Sequence, residues 1–282
     1  MGEASILAAS SILDHLEPRY GWHMPGFGPH GYTFDLGIIN HWVESNLGFN
    51  PDITTHIVMM MFATLAVFLF FIPIARRYVE VPFGLRNFLE PVLLFIRDEM
   101  VYPNLGEKDG RTYLPYFWTV FFFILTCNLI GLLPSPFGIT ATGNFNVTGA
   151  LAVMTLMVGV VGGSVKKGAA GYWLGLIPPG MPPGPGGVLL KIFIFFLEVI
   201  GLFARHVALM IRLFANMTAG HAILAVLAMW LTLTPAMLPI RLFQAMGSVA
   251  MISFEIFIAL VQAYIFTILS AIYIGLSLAE EH

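Results

Sequence analysis

Charged side chains are missing from three long stretches of this chain: none lies between Ile57 and Ala75, between Thr112 and Val165, or between Ile256 and Ala279. Each stretch can supply at least one helix across a bilayer, which takes about 20 apolar residues. The first predicts one span from about Ile57 to Ala75, stopped by Arg76-Arg77. The second is too long for one span and is interrupted by Pro134, Pro136, Gly138 and Gly143. It predicts two spans joined by a short turn, the later one closed by Lys166-Lys167. From Leu189 to Ala279 the chain is again apolar, broken only around Thr234, Pro235 and Pro239, which predicts two long helices in a hairpin. Before the second stretch, Leu85, Phe88, Leu89, Val92, Leu93, Ile96 and Met100 recur every three or four residues, opposite Arg86, Asn87, Glu90, Arg97 and Asp98. That spacing predicts an amphipathic helix lying in the membrane interface. The loop from Gly168 to Gly187 carries Pro178, Pro179, Pro182, Pro183 and Pro185 and cannot be helical throughout.

The expected fold is an all-α integral membrane protein with about five transmembrane helices, an interfacial amphipathic helix and a final long two-helix hairpin. Residues 1–52, rich in Gly, Pro, His and aromatics, read as an extramembrane segment, and residues 53–282 as the membrane-embedded domain, its hairpin at about 189–279. Composition agrees: 58% of the 282 residues are apolar and 10% are charged, against roughly 25% charged in a soluble domain. A net charge of -3 argues against nucleic acid. The single cysteine, Cys127, cannot form an internal disulfide and gives no metal-ligand spacing. The first 50 residues hold five acids and one Arg19, with no basic segment before an apolar core. No signal peptide is expected.

Orientation follows from the basic residues. Arg76, Arg77, Arg86, Arg97, Lys108, Arg111, Lys166, Lys167 and Lys191 fall on one side of this arrangement, which the positive-inside rule assigns to the cytoplasm. The N-terminus is then outside, and Glu280, Glu281 and His282 are inside.

Ionisable residues inside apolar helices are functional candidates by default. The hairpin contains Glu198, Arg205, His206, Arg212, His221 and Glu255. Glu198, Arg205 and Arg212 are seven residues apart in turn, which makes one stripe drifting by about 20° per step. Arg241, Ser248, Glu255 and Gln262 repeat the spacing and are expected to face it. A fold near Leu238 sets His221 at the depth of Glu255 and Arg212 at that of Gln262. Glu and His exchange protons, whereas Arg does not. An Arg in such a path is a fixed charge and a barrier. Glu198 and Arg205 either serve the path or neutralise one another, and His221 with Glu255 is either a relay or a packed polar pair. His206 reads as a packing or interfacial histidine, and Met59-Met60-Met61 as lipid-facing or core packing.

The run Leu209-Met210-Ile211-Arg212-Leu213-Phe214-Ala215-Asn216-Met217-Thr218-Ala219-Gly220-His221 resembles the signature of subunit a of the F-type ATP synthase membrane sector. Further matches are Asn128-Leu129-Ile130-Gly131-Leu132-Leu133-Pro134, Asn146-Val147-Thr148, Gln262-Ala263-Tyr264-Ile265-Phe266 and the closing Glu280-Glu281-His282. The resemblance implies a non-catalytic subunit with two offset aqueous half-channels against a rotating ring of c subunits, each bearing an essential carboxylate. It also implies peripheral-stalk b subunits and the lipid bilayer as partners, in a bacterial inner membrane, with no cofactor and no metal. Carried over by position, Arg212 matches the essential arginine, Asn216 and Gln262 its polar neighbours, and Glu198 the acid of the cytoplasmic half-channel. His221 and Glu255 match two positions that many bacterial relatives fill in the opposite order. Arg205, Ser248 and Asn128 are further candidates, and Gly131 stands where relatives place an Asp.

Two other classes remain as alternatives. A self-contained secondary transporter would also bury Arg and Glu at mid-membrane, but it usually carries a repeated half, and no repeat is visible. An intramembrane hydrolase or metalloenzyme needs a nucleophile with its base or a close ligand set, and no His-Glu-x-x-His occurs.

Overall fold

A computed structural model of the chain describes residues 21–23, 33–35, 55–76, 85–133, 140–178, 184–233 and 238–279. In chain order the elements are β1 (Gly21–His23), β2 (Thr33–Asp35), α1 (Thr55–Arg76), α2 (Leu85–Phe95), a π-helical turn (Ile96–Val101) and α3 (Tyr102–Gly131). A 3-10 turn (Ala141–Gly143), α4 (Phe145–Lys167), α5 (Ala169–Leu174), α6 (Pro185–Leu233) and α7 (Leu238–Leu278) follow. The chain is an all-α membrane protein. Among the described residues four helical segments are long and apolar enough to cross a membrane, and α1, apolar over His56–Ile72, is a shorter fifth.

The structure adds detail to several expectations. β1 and β2 form a small antiparallel ribbon in the N-terminal segment, with Trp22 opposite Phe34. The amphipathic segment is a helix of its own, as expected: α2 continues through the π turn to Leu105, and the non-helical backbone of Gly106, whose φ of 74° suits glycine, separates it from the apolar remainder of α3. Of its expected apolar stripe, Leu89, Ile96 and Met100 are buried, but Phe88 is exposed. The Gly/Pro loop contains α5, and α6 begins at Pro185 rather than at Leu189. A proline suits that first helical position, where no N–H is needed. The expected breaks at Pro134, Pro136, Gly138, Thr234 and Pro235, and the closing Glu280-Glu281-His282, lie outside the described residues.

Helices α6 and α7 contain 49 and 41 residues. At about 1.5 Å per residue both far exceed the roughly 30 Å bilayer core. They must cross it obliquely or extend beyond it.

The chain divides into two compact units. The first comprises Met1–Tyr78, Phe122–Val147 and Leu213–Ala263. Here Met59, Ala63, Cys127 and Ala141 form an apolar core between α1, the end of α3 and the 3-10 turn. Met59 is thus core, whereas Met61 is exposed.

The second unit comprises Val79–Phe121, Thr148–Arg212 and Tyr264–His282. Glycines of α4 let neighbours approach closely, as small residues do in membrane packing. A Cβ at Gly163 would stand 2.6 Å from the Tyr172 ring and 2.8 Å from the Ser277 carbonyl oxygen, and one at Gly159 would stand 3.3 Å from Ser277 Oγ. Tyr116 and Thr155 hydroxyls meet at 2.9 Å, and Lys166 donates to Asp109 at 2.6 Å. The second contact brings the basic ends of α3 and α4 to the same side, as the charge pattern requires.

Candidate functional site

In the second unit, Arg205 Nη2 donates to Glu198 Oε2 at 3.1 Å. A pair seven residues apart must reach across two turns, and it does so over Gly201. A Cβ there would lie 3.5 Å from Arg205 Nη2 and 3.8 Å from Glu198 Oε2. The two half-buried side chains thus form an ion pair. His206 is buried, its Nδ1–H donating to the Leu202 carbonyl at 2.8 Å and its ring 5.5 Å from that of Tyr273. It is a packing residue.

The α6 stripe does not lie in the buried face of its helix. That face is formed by Leu202, His206, Leu209, Leu213 and Met217. At about 100° per residue, Glu198 lies roughly 60° from its centre, Arg205 roughly 80° and Arg212 roughly 100°. The drift of a seven-residue step therefore turns the stripe outward as it ascends. Glu198 and Arg205 are half-buried, whereas Arg212 is exposed.

In the first unit, Glu255 is 5% exposed and Gln262 4%. Glu255 abuts α6, because a Cβ at Gly220 would stand 3.1 Å from its Oε1. The expected register, which set His221 at this depth, is met within one residue. His221 and Asn216 are half-buried. Asn216 Nδ2, Glu255 Oε1 and Gln262 Nε2 are buried and have no hydrogen-bond partner among the described residues. Buried polar groups are normally satisfied, so this collection marks a candidate site. Asn128 is fully buried, and its Oδ1 accepts the Thr142 hydroxyl at 2.7 Å.

The α7 stripe is corrected as well. Arg241 is exposed, and the Ser248 hydroxyl donates to the Gln244 carbonyl one turn back within its own helix. Gln244 is buried in their place. Eighteen residues make about five whole turns, so Gln244 returns to the azimuth of Gln262, while Arg241 lies roughly 60° away. The seven-residue count missed Gln244, and it also missed Thr218, whose Oγ1 is buried without a partner among the described residues. A count by whole turns finds Gln244. Nothing in the sequence distinguished Gly201, and Gly220 stood out only as a member of the signature run. No group of three or more potential metal ligands occurs among the described residues.

The family described as ATP synthase A chain matches residues 57–275, which is most of the chain and includes every residue of the two helices discussed above from Glu198 to Gln262. The chain belongs to the ATP synthase A chain family. Curated relatives of the family carry the name ATP synthase subunit a. One from Anaeromyxobacter sp. is 36% identical over 92% of this chain and 62% of its own length. One from Chloroherpeton thalassium is 38% identical over 89% of this chain and 75% of its own. One from Chlorobium phaeobacteroides is 35% identical over 99% of this chain and 87% of its own. The chain spans only 58–62% of the length of the Anaeromyxobacter relatives. Within the family's pattern, Gly131 is explained locally. A Cβ there would stand 2.9 Å from Thr140 Cβ and 3.2 Å from its Cα, so no side chain fits.

Proposed function

We propose that the chain is the proton-translocating stator subunit of an F-type ATP synthase. It forms two offset half-channels against a rotating ring of carboxylate-bearing c subunits, and peripheral-stalk b subunits hold it still. It sits in a bacterial inner membrane with the N-terminus outside and the C-terminus in the cytoplasm. It performs no bond chemistry itself; its work is to route ions.

The observation that carries this reading is Arg212, an exposed cation within a 49-residue apolar helix. A lone Arg at mid-bilayer costs at least about 2.5–3.5 kcal/mol, and an anionic partner on another chain offsets that cost. The ring carboxylate is such a partner. Protons enter from outside past Asn128, His221 and Glu255, with the amides of Asn216 and Gln262 lining the way. They leave past Glu198, whose ion pair with Arg205 fixes the carboxylate on the cytoplasmic side. Arg212 cannot relay a proton, so passage between the two routes requires the ring to turn. Each charge crossing 100 mV supplies about 2.3 kcal/mol for that rotation.

The test is charge permanence at Arg212. Lys lacks the planar fork and loses its proton more readily when desolvated. Arg212→Lys should abolish ATP-driven acidification of inverted vesicles, and Arg212→Ala should in addition leak protons passively. Normal acidification by the Lys variant would overturn the reading.

A further inference from the structure

The residues tied to Asn128 form a chain of contacts that begins on α1. His56, 5% exposed near the start of α1, has Nδ1 2.9 Å from the carbonyl oxygen of Thr140. A carbonyl only accepts, so Nδ1 carries the proton and donates. Thr140 leads into the Ala141–Gly143 turn, and its carbonyl also accepts the Gly143 N–H at 3.2 Å. Its side chain is gripped by two glycines. Besides the fit at Gly131, a Cβ at Gly143 would stand 2.7 Å from Thr140 Oγ1. Two residues further along, Thr142 Oγ1 donates to Asn128 Oδ1 at 2.7 Å. The amide is oriented so that its oxygen takes that bond. The oxygen is committed to the turn, and the NH2 group is left buried with no partner among the described residues. A buried NH2 group held this way presents its hydrogens to an acceptor such as a water oxygen.

We propose that His56 is a positioning residue: through Thr140 and the Ala141–Gly143 turn it sets the amide of Asn128, so that the NH2 group faces the outer ion path. The inference rests on the reading of Asn128 as a path residue. Around the turn, Met59, Ala63, Cys127 and Ala141 supply only apolar packing, which holds position without specifying direction. His56 supplies a directional hydrogen bond from α1. Without it the turn keeps only that packing and the Thr142–Asn128 bond itself, so turn and amide are free to shift together.

The experiment measures ATP-driven acidification in inverted vesicles carrying the assembled complex, normalised to the amount of this chain in the membrane. His56→Ala is expected to lower the rate about five-fold, the scale of one net hydrogen bond. His56→Asn brings an amide N–H close to the position of Nδ1 and should retain most of the rate. In an Asn128→Ala background, His56→Ala should cause no further loss, because its effect runs through that amide. Thr142→Val breaks the same link at the other end, should behave like His56→Ala, and carries the test if His56→Ala does not assemble. Equal losses in both backgrounds would overturn the inference. So would normal rates in His56→Ala and Thr142→Val beside an impaired Asn128→Ala. A normal rate in Asn128→Ala would instead overturn the underlying reading of that residue.

Discussion

Glu255 on α7 lies against the main chain of Gly220 on α6: a Cβ at Gly220 would stand 3.1 Å from Glu255 Oε1 and 3.3 Å from its Cδ. The carboxylate occupies space that exists because Gly220 has no side chain. It also brings the two helices together beside His221. Gly220→Ala asks the carboxylate to give by a few tenths of an ångström and should leave ATP-driven acidification within about two-fold of normal. Gly220→Val must displace it, and overpacking of this kind costs about 1–3 kcal/mol. Acidification should then fall roughly ten-fold or more at equal amounts of assembled chain.

The Glu198–Arg205 pair predicts a separation of stability from transport. Its side chains are 42% and 37% exposed, and exposed pairs contribute about 0–1 kcal/mol. A double-mutant cycle with Glu198→Gln and Arg205→Gln, read by thermal unfolding of the complex in mild detergent, should give a coupling below about 1 kcal/mol. Acidification should fall several-fold in Glu198→Gln and less in Arg205→Gln. A large stability coupling with unchanged transport would make the pair a helix staple.

Gly131→Asp should destabilise this chain. The new Cβ would run into Thr140, including its main chain, and a loss of about 1–3 kcal/mol is expected. The amount of chain in the membrane and its thermal stability should both drop. Adding Thr140→Ser removes Cγ2 and should restore part of the loss, since the clash with the Thr140 backbone stays.

The sequence determined the helices and the chemistry. Uninterrupted apolar runs, ended by Arg76-Arg77 and Lys166-Lys167, fix where a chain can satisfy its own backbone inside lipid, because only helices or closed barrels do so. Ionisable residues within such runs stand out against their surroundings, so Glu198, Arg212, His221 and Glu255 were legible without coordinates. The depth match of His221 with Glu255 followed from counting, since both helices rise equally per residue. Azimuth was less legible. A seven-residue count slips by about 20° at each step, which hid Gln244 and promoted Arg241, and the count alone did not say from which azimuth the α6 stripe drifts outward to the exposed Arg212. What only the tertiary structure decided was proximity between elements distant in sequence. The seat of Glu255 on Gly220, the ion pair lying over Gly201, the closure of Gly131 by Thr140 and the tie from His56 to the turn beside Asn128 each depend on where a side chain is missing or a carbonyl is turned. A glycine carries no chemical signature in a sequence, and its meaning here is the neighbour that fills its space.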